Sequence, residues 1–186
     1  MLFSKTSRPF LDANQENAAQ LLVTPTALAD LSASDARIVA SFMLAKCFQS
    51  GTVFIKEGEA MHTDFMMLIL EGEVLVQNEA ASAGDSMVIS IIGSGSMIGE
   101  MGVLDGAPRS ATCTATTDLT VAILPRDALL KIINDNASVA ARLMLAISKR
   151  LSDRLREANR KIKTLDGLSR ALQQELDAAH EMLHSP

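Results

Sequence analysis

The residues with the clearest chemical potential lie between positions 98 and 112, in the stretch IGEMGVLDGAPRSAT. Glu100 and Arg109 are separated there by eight residues, most of them small or apolar. Glycines at positions 99 and 102 let the backbone approach a ligand closely, and free amides at the start of a helical turn favour an anion. Arginine adds a fork of N–H donors that matches a phosphate. The stretch therefore predicts a phosphate site.

A bare phosphate does not explain Glu100, because two negative groups repel each other. The conflict disappears if the ligand carries a hydroxyl beside its phosphate, since a carboxylate can accept a hydrogen bond from a ribose 2′-hydroxyl, as acidic residues do in dinucleotide sites. The pattern thus indicates a ribose phosphate. The alternative is a surface ion pair between Glu100 and Arg109, which would contribute about 0–1 kcal/mol to stability.

Short β-prone runs surround this stretch and must position it. Between residues 51 and 124 they read GTVFIKEGE, DFMMLILEGEVLVQN, MVISIIGSG and ATCTATTDLTVAILP, with Gly, Asp or Asn between them. This rhythm predicts a small antiparallel roll or barrel, in which GEMGVL forms a short helical turn. Because the chain has only six aromatic residues, all Phe, aliphatic residues and methionine must fill the interior. The methionines expected to fill core gaps are Met61, Met66, Met67, Met87, Met97 and Met101.

Helical patterns flank the β-prone zone. Apolar residues recur at helical spacing over residues 26–48, and residues 32–35 supply capping groups before ARIVASFML. After Pro125, the run PRDALLKIINDN predicts a short helix with proline near its start. A long helix is expected from about Ala137 to the end of the sequence.

The second half of that long helix carries a narrow apolar stripe with alternating steps of three and four residues. Its positions are Leu155, Ala158, Ile162, Leu165, Ser169, Leu172, Leu176, Ala179 and Leu183. One helix cannot bury such a stripe alone, so we expect a coiled coil with a second copy of the chain. The alternative is a helix that lies on its own domain. Asp166-Gly167 weakens the pattern and leaves open a separate helix or a hairpin.

Composition limits the class of protein. With 186 residues, 48% of them hydrophobic, and a net charge of -5, the chain suits one domain with an appendage and not a nucleic-acid-coating surface. Cys47 and Cys113 lack the spacing of a zinc or redox pair, and His62, His180 and His184 form no metal or triad pattern. The sequence shows no secretory signal and no long apolar run, so we expect a soluble, cytoplasmic protein without a membrane segment or metal cofactor.

The stretch IGEMGVLDGAPRSAT resembles, position for position, the phosphate-binding cassette of cyclic nucleotide-binding domains, as in catabolite activator proteins and protein kinase A regulatory subunits. LADLSASDARIVASFM, GTVFIKEGE, LILEGEVLV and GSGSMIGE resemble the wider family frame. The resemblance covers about residues 26–156. It implies an α+β fold, in which helices flank an antiparallel, jelly-roll-like β-roll, and a ligand that is cyclic AMP or, as a second choice, cyclic GMP.

The same resemblance implies a role for each site residue. Glu100 would accept from the ribose hydroxyl, and Arg109 would bind the cyclic phosphate. The rest of the implied ligand-binding set is Gly99, Met101, Gly102, Ser110 and Ala111 in the cradle, Ile89 and Ile92 in the apolar wall, and Arg154 with Leu155 on a lid helix over the base. Ser110 as an ordinary turn hydroxyl and Arg154 as a solvated helix residue are the alternatives.

These expectations divide the chain into a leader (residues 1–24), a cyclic nucleotide-binding domain with its lid helix (25–156) and a C-terminal interaction helix (157–186). The last 30 residues contain neither a β wing nor a basic recognition helix, so direct DNA binding is not expected. The leading hypothesis is a homodimeric, non-enzymatic receptor in signal transduction, coupled through the lid helix to dimerisation or to a partner protein. A ligand-independent coiled-coil adaptor, a cyclic di-GMP effector and, as the weakest option, an enzyme remain as alternatives.

Overall fold

Strands between residues 44 and 125 fold into two antiparallel sheets, with helices before and after them in the sequence. The computed structural model describes residues 8–9, 12–79 and 86–184. In chain order the elements are β1 (Arg8–Pro9), α1 (Asp12–Leu22), α2 (Ala33–Ser41), β2 (Leu44–Phe48), β3 (Val53–Ile55), β4 (Phe65–Glu71), β5 (Val74–Glu79), β6 (Ser86–Ile92), β7 (Met97–Ile98), α3 (Glu100–Asp105), β8 (Thr112–Ala115), β9 (Leu119–Pro125), α4 (Arg126–Asp135) and α5 (Ala137–His184). Residues up to Ile147 form one compact unit, and those from Ser148 form another.

The two sheets enclose an apolar core. One sheet has the strand order β1-β2-β9-β4-β7 and the other β3-β8-β5-β6. β4 is buried on both faces: Phe65, Met67 and Ile69 point into the core between the sheets. Met66 and Leu68 are equally buried on the opposite face of β4, because successive side chains of a strand alternate between faces. A strand covered on both sides needs a continuous apolar run, which explains the sequence FMMLILE.

This architecture confirms the predicted class, an α+β fold with an antiparallel β-roll and flanking helices. The expected role of the methionines is confirmed for Met66, Met67 and Met97, which are at most 2% exposed. It is wrong for Met61 and Met101, which are 71% and 48% exposed because they lie in a turn and on the outer side of α3. The side chain of Met87 lies outside the described residues.

The helical interpretation of residues 26–48 is correct only in its middle. The Ser32 hydroxyl caps α2 by accepting from the Asp35 amide at 3.1 Å, as the capping pattern predicts. The helix nevertheless ends at Ser41, and residues 44–48 form β2. β2 pairs in register with β9 from Leu44↔Ile123 to Phe48↔Leu119, so tertiary pairing overrides the helical spacing of this segment.

The helices after the sheets follow the sequence expectations closely. α4 starts after Pro125, which occupies the N-cap position in an extended conformation. α5 starts at Ala137 and passes through Asp166-Gly167 without a break, so the separate helix or hairpin is ruled out. None of the helices in the described ranges is both long and apolar enough to cross a lipid bilayer.

Candidate functional site

The segment with Glu100 and Arg109 is the connection between β7 and β8. β7 pairs with β4, which is buried on both faces, and this pairing fixes the start of the connection. Gly99 and Gly106 cap the six-residue helix α3 at its two ends, with φ angles of 80° and 70°. L-residues other than glycine rarely adopt such angles. The predicted helical turn GEMGVL is therefore confirmed, and backbone geometry requires glycine at both ends of α3, at Gly99 within that turn and at Gly106 after it.

Glu100 and Arg109 are both buried, with 1% and 5% of their surface exposed. A surface ion pair is therefore not the arrangement that this structure contains. The Glu100 carboxylate still acts on the Arg109 guanidinium through space. Charged residues are almost never fully buried unless a partner compensates for their lost hydration, which makes this pair the strongest candidate for a functional site in the described part of the chain.

Backbone carbonyls hold the Arg109 guanidinium. Nη1 donates to Phe65 O at 3.3 Å and to Gly99 O at 3.4 Å, and Nη2 donates to His62 O at 3.0 Å and to Phe65 O at 3.2 Å. We call the carbonyl groups of His62, Phe65 and Gly99 the carbonyl cluster. The Phe65 ring also stacks under the guanidinium, with its centroid 4.3 Å from Cζ, an arrangement that stabilises a cation.

The electrostatic environment keeps Arg109 cationic. Burial lowers the pKa of its guanidinium, and four neighbouring groups oppose this shift through space, namely Cys113, Glu59, Asp64 and Glu100. Because an arginine pKa lies far above neutrality, the side chain remains charged. The site thus presents a fixed cation whose hydrogen-bond acceptors are uncharged, beside the first-turn amides of α3, which lack acceptors within the helix.

A second backbone contact fixes the position of Arg109. Its amide donates to Glu59 O at 2.9 Å, and the Gly58 amide donates to its carbonyl at 2.8 Å. The turn in the run KEGE therefore forms two backbone hydrogen bonds with Arg109. His62, Phe65 and Glu59 were missed by the sequence reasoning because they contribute carbonyl oxygens, which every residue carries and which leave no pattern of side-chain types.

Close packing explains the small residues of the cradle. A Cβ on Gly99 would lie 2.8 Å from Arg109 Nη1, and a Cβ on Gly102 would lie 2.8 Å from Thr63 O and 3.0 Å from the same Nη1. Both glycines therefore let α3 sit directly against the arginine. The Thr63 hydroxyl, which is also buried, donates to Gly106 O at 3.3 Å.

Ser110 and Ala111 follow the arginine and face different surroundings. Ser110 is exposed, and its hydroxyl lies 3.9 Å from the Met101 sulfur, a weak acceptor. In the amide orientation that satisfies both of its groups, Asn78 donates to Ser110 O at 3.0 Å. Ala111 is partly buried and packs against the core cluster. Asn78 is thus another neighbour of the site that the sequence did not indicate.

The two wall isoleucines occupy unequal positions on β6. Ile92 pairs with the buried Val74 and packs against the core. Ile89 lies at a register shift and is 39% exposed, while Ser90 pairs with the buried Val76. The structure therefore brings Ile92, but not Ile89, to the inner face. Arg154 is an exposed residue of the second unit.

Comparisons with known proteins agree with this geometry. Residues 45–136 match the family described as "Cyclic nucleotide-binding domain". The chain is 33% identical over 106 residues to the cAMP-dependent protein kinase regulatory subunit of Yarrowia lipolytica, covering 57% of this chain and 27% of that protein. It is 28% identical over 104 residues to the CRP-like cAMP-activated global transcriptional regulator of Mycobacterium tuberculosis, covering 56% and 45%.

The chain thus spans less than half the length of these two curated relatives. A crystal structure of a cyclic nucleotide-binding domain from Methylobacillus flagellatus is similar over 87% of this chain and 92% of its own, with 26% identity and a TM-score of 0.74. The matched residues 45–136 include α3, Arg109 and strands of both sheets. Through these residues, the chain belongs to the cyclic nucleotide-binding domain family.

Proposed function

We propose that this chain is a receptor for a cyclic nucleotide, with cyclic AMP as the first choice of ligand and cyclic GMP as the second. The observation that carries the proposal is the buried pair Glu100 and Arg109 at the two ends of the α3 segment. The Arg109 guanidinium can bind a phosphate, and the Glu100 carboxylate can accept a hydrogen bond from a ribose hydroxyl beside it. The names of the two curated relatives, both of which refer to cAMP, support the choice of ligand.

In this proposal Arg109 binds the cyclic phosphate and Glu100 accepts from the ribose 2′-hydroxyl. The backbone of residues 99–102 forms the cradle, with Met101 on its outer side, while Ser110 and Ala111 contribute an amide or hydroxyl. Ile92 is the better placed of the two wall residues, since Ile89 is more exposed. Arg154 and Leu155 remain proposed lid residues. The chain binds the nucleotide without chemical change, as expected of a regulatory domain.

We further propose that binding is coupled through α5 to dimerisation or to a partner protein. The described part of the apolar stripe is exposed, with values of 57–64% for the large residues Leu155, Ile162, Leu165, Leu172 and Leu176. Such a stripe favours pairing with another helix. The same exposure also suits the second candidate function, an adaptor dimer that forms through α5 without regard to ligand.

Titration calorimetry with cyclic AMP, cyclic GMP and cyclic di-GMP tests the receptor proposal. We expect the wild type to bind cyclic AMP, and Arg109→Ala to lose at least about tenfold in affinity, because a hydrogen-bonded charge contributes about 1.5–3 kcal/mol. Arg170→Ala is the matched control, since it removes the same charge from an exposed position of α5. Binding of none of the three nucleotides by the folded wild type would refute the receptor proposal.

The role of Glu100 has its own arm of this experiment. Glu100→Gln keeps the shape of the side chain and removes its charge, so it should bind cyclic AMP more weakly. 2′-Deoxy cyclic AMP lacks the hydroxyl that Glu100 is proposed to bind. The analogue should therefore bind the wild type poorly and show little further loss with Glu100→Gln. If the losses from the variant and from the analogue instead add up, the Glu100 carboxylate does not contact the 2′-hydroxyl.

A further inference from the structure

His62 has an unusual backbone conformation. Among the described residues it is the only non-glycine residue with a positive φ angle, at 58°. The left-handed region is costly for residues that carry a Cβ and persists only where the surroundings impose it. The contact that accompanies this conformation is the hydrogen bond from Arg109 Nη2 to His62 O, which at 3.0 Å is the shortest bond of the carbonyl cluster.

The geometry of the guanidinium shows which N–H donor of Arg109 is used by the bond to His62 O. Arginine carries five N–H donors, two on each terminal nitrogen and one on Nε. Phe65 O accepts from both terminal nitrogens, so it takes the two hydrogens that point into the gap between them. His62 O therefore accepts the outer hydrogen of Nη2, on the edge that Nη2 shares with Nε. That edge is one of the two forks that can bind a phosphate in bidentate fashion.

We propose that the His62 carbonyl is an internal stand-in for a phosphate oxygen, and that a cyclic nucleotide displaces it from Arg109. The ligand phosphate takes the Nε and Nη2 donors, while Phe65 O and Gly99 O keep the guanidinium in place. Once released, residue 62 no longer has a hydrogen bond that holds it in the left-handed region, and its turn relaxes. This inference rests on the proposed function, because it concerns how the same site exchanges partners.

The relaxing turn has a direct route to α3. Thr63 follows His62, and its hydroxyl donates to the carbonyl of Gly106, the C-cap of α3. The Thr63 carbonyl also lies against Gly102 in the middle of that helix. A movement of residues 62–63 must therefore change the packing of α3. Displacement of one carbonyl thus converts phosphate binding into a movement of the helix beside it.

Two variants at position 62 isolate the backbone effect. His62→Gly removes the cost of the left-handed conformation, and His62→Val raises it, because β-branched residues are least tolerated there. Both variants lack the imidazole, so its loss cancels in the ratio of their cyclic AMP dissociation constants. Glycine stabilises the arrangement in which His62 O holds Arg109, and valine weakens it.

We therefore expect His62→Gly to bind cyclic AMP several-fold more weakly than His62→Val. The cost of a left-handed residue limits this ratio to about 30-fold. Equal dissociation constants, or tighter binding by the glycine variant, would overturn the proposal. The second result would mean that the carbonyl positions Arg109 for its ligand and does not compete with it.

Urea denaturation tests the contact without any nucleotide. The glycine variant should be more stable than the valine variant, and this difference should shrink when Arg109→Met removes the donors that hold residue 62. Arg109→Leu, which also lacks donors, serves if the methionine variant does not fold. If the stability difference between glycine and valine at position 62 is the same with and without Arg109, then Arg109 does not hold the His62 carbonyl. If the wild type binds no cyclic nucleotide, the receptor proposal fails, whereas denaturation still decides whether Arg109 holds His62.

Discussion

Arg109 shows how a charged side chain can be buried and still be available for recognition. Its terminal nitrogens donate to neutral carbonyls, so the cation is oriented without being neutralised by a directly bonded carboxylate. The arrangement depends on the absence of a side chain at residue 102, where α3, the Thr63 carbonyl and the guanidinium meet. At the scale of the residue, a missing side chain is therefore as important for the site as the arginine itself.

A single methyl group at Gly102 tests this dependence. Gly102→Ala places a Cβ within 2.8 Å of Thr63 O and 3.0 Å of Arg109 Nη1, so we expect a loss of about 1–3 kcal/mol in the free energy of unfolding and weaker nucleotide binding. Urea denaturation and calorimetry measure the two effects. Gly93→Ala is the control, because its Cβ would have its nearest neighbour at 3.7 Å. Equal losses in both variants would contradict the packing argument.

Glu100 and Arg109 could be predicted from the sequence because their charges, their spacing and the neighbouring glycines can be read directly from the residue types. The carbonyl cluster could not be predicted in this way, since every residue has a backbone carbonyl. Nor did the sequence separate Ile89 from Ile92, because the register shift in β6 depends on pairing with β5. Site chemistry carried by side chains was thus predictable, whereas chemistry carried by backbone required the fold.

At the scale of the element, an ion pair joins α2 to the first turns of α5. Arg142 Nε and Nη2 donate to the two Asp35 carboxylate oxygens at 2.6 and 2.7 Å. Asp35 is only 4% exposed, and the same residue provides the amide that Ser32 caps. Because bidentate pairing also fixes geometry, this contact sets where α5 begins relative to the helix before the sheets.

Acid should weaken this contact. The hydrogen bonds from Arg142, followed by those involving Ser32, hold the pKa of Asp35 below its usual value. A carboxyl group with a lowered pKa in the folded state stabilises the protein above the unfolded pKa of about 3.9, and this contribution disappears as the pH falls through the folded value. The stability difference between the wild type and Asp35→Asn should therefore shrink below about pH 4.

Unfolding free energies measured in urea between neutral and acidic pH check this expectation. Arg142→Gln is the matched variant, since it removes the same ion pair from the other helix. Asp35→Asn should lose the whole pH-dependent part that comes from Asp35, and Arg142→Gln only the share due to Arg142, because the hydrogen bonds with Ser32 remain. A difference from the wild type that stays constant across the whole pH range would show that the Asp35 carboxylate has another role.

The elements themselves were predicted unevenly, for a physical reason. α3, α4 and the start of α5 were recognised because their caps and turns are encoded locally, as Gly99 and Pro125 illustrate. β2 was mistaken for helix because its identity comes from pairing with β9, nearly 80 residues later. α1 was not recognised, and it packs beside α2 with an Arg37–Glu16 ion pair of 3.0 Å between them. Long-range pairing is what local patterns cannot supply.

At the scale of the whole molecule, the chain divides into a unit up to Ile147, which contains both sheets, and a helical unit after it. The first unit encloses a packed core, whereas the described large apolar residues of the stripe in the second unit are exposed. A helix with this pattern gains stability by pairing. The proposed dimer therefore depends on the stripe and not on the core of the first unit.

Introducing one charge into the stripe tests the dimer. Leu172→Asp places a carboxylate where two stripes would meet, so we expect the dimer to dissociate into monomers, because a buried unpaired charge is costly. Gln174→Asp introduces the same charge two residues away, off the stripe, and should leave the dimer intact. Sedimentation velocity distinguishes the two outcomes. A wild type that is monomeric at all accessible concentrations would rule out self-association through α5.

The amino-acid composition has a practical consequence for identifying the ligand. The chain contains no Trp and no Tyr, and its six aromatic residues are all Phe, whose ring absorbs near-ultraviolet light only weakly. A purine absorbs strongly in that region. A nucleotide that accompanies the protein through purification would therefore dominate the near-ultraviolet absorption spectrum of the sample. The spectrum of the purified protein would then show directly whether it has bound a nucleotide in the cell.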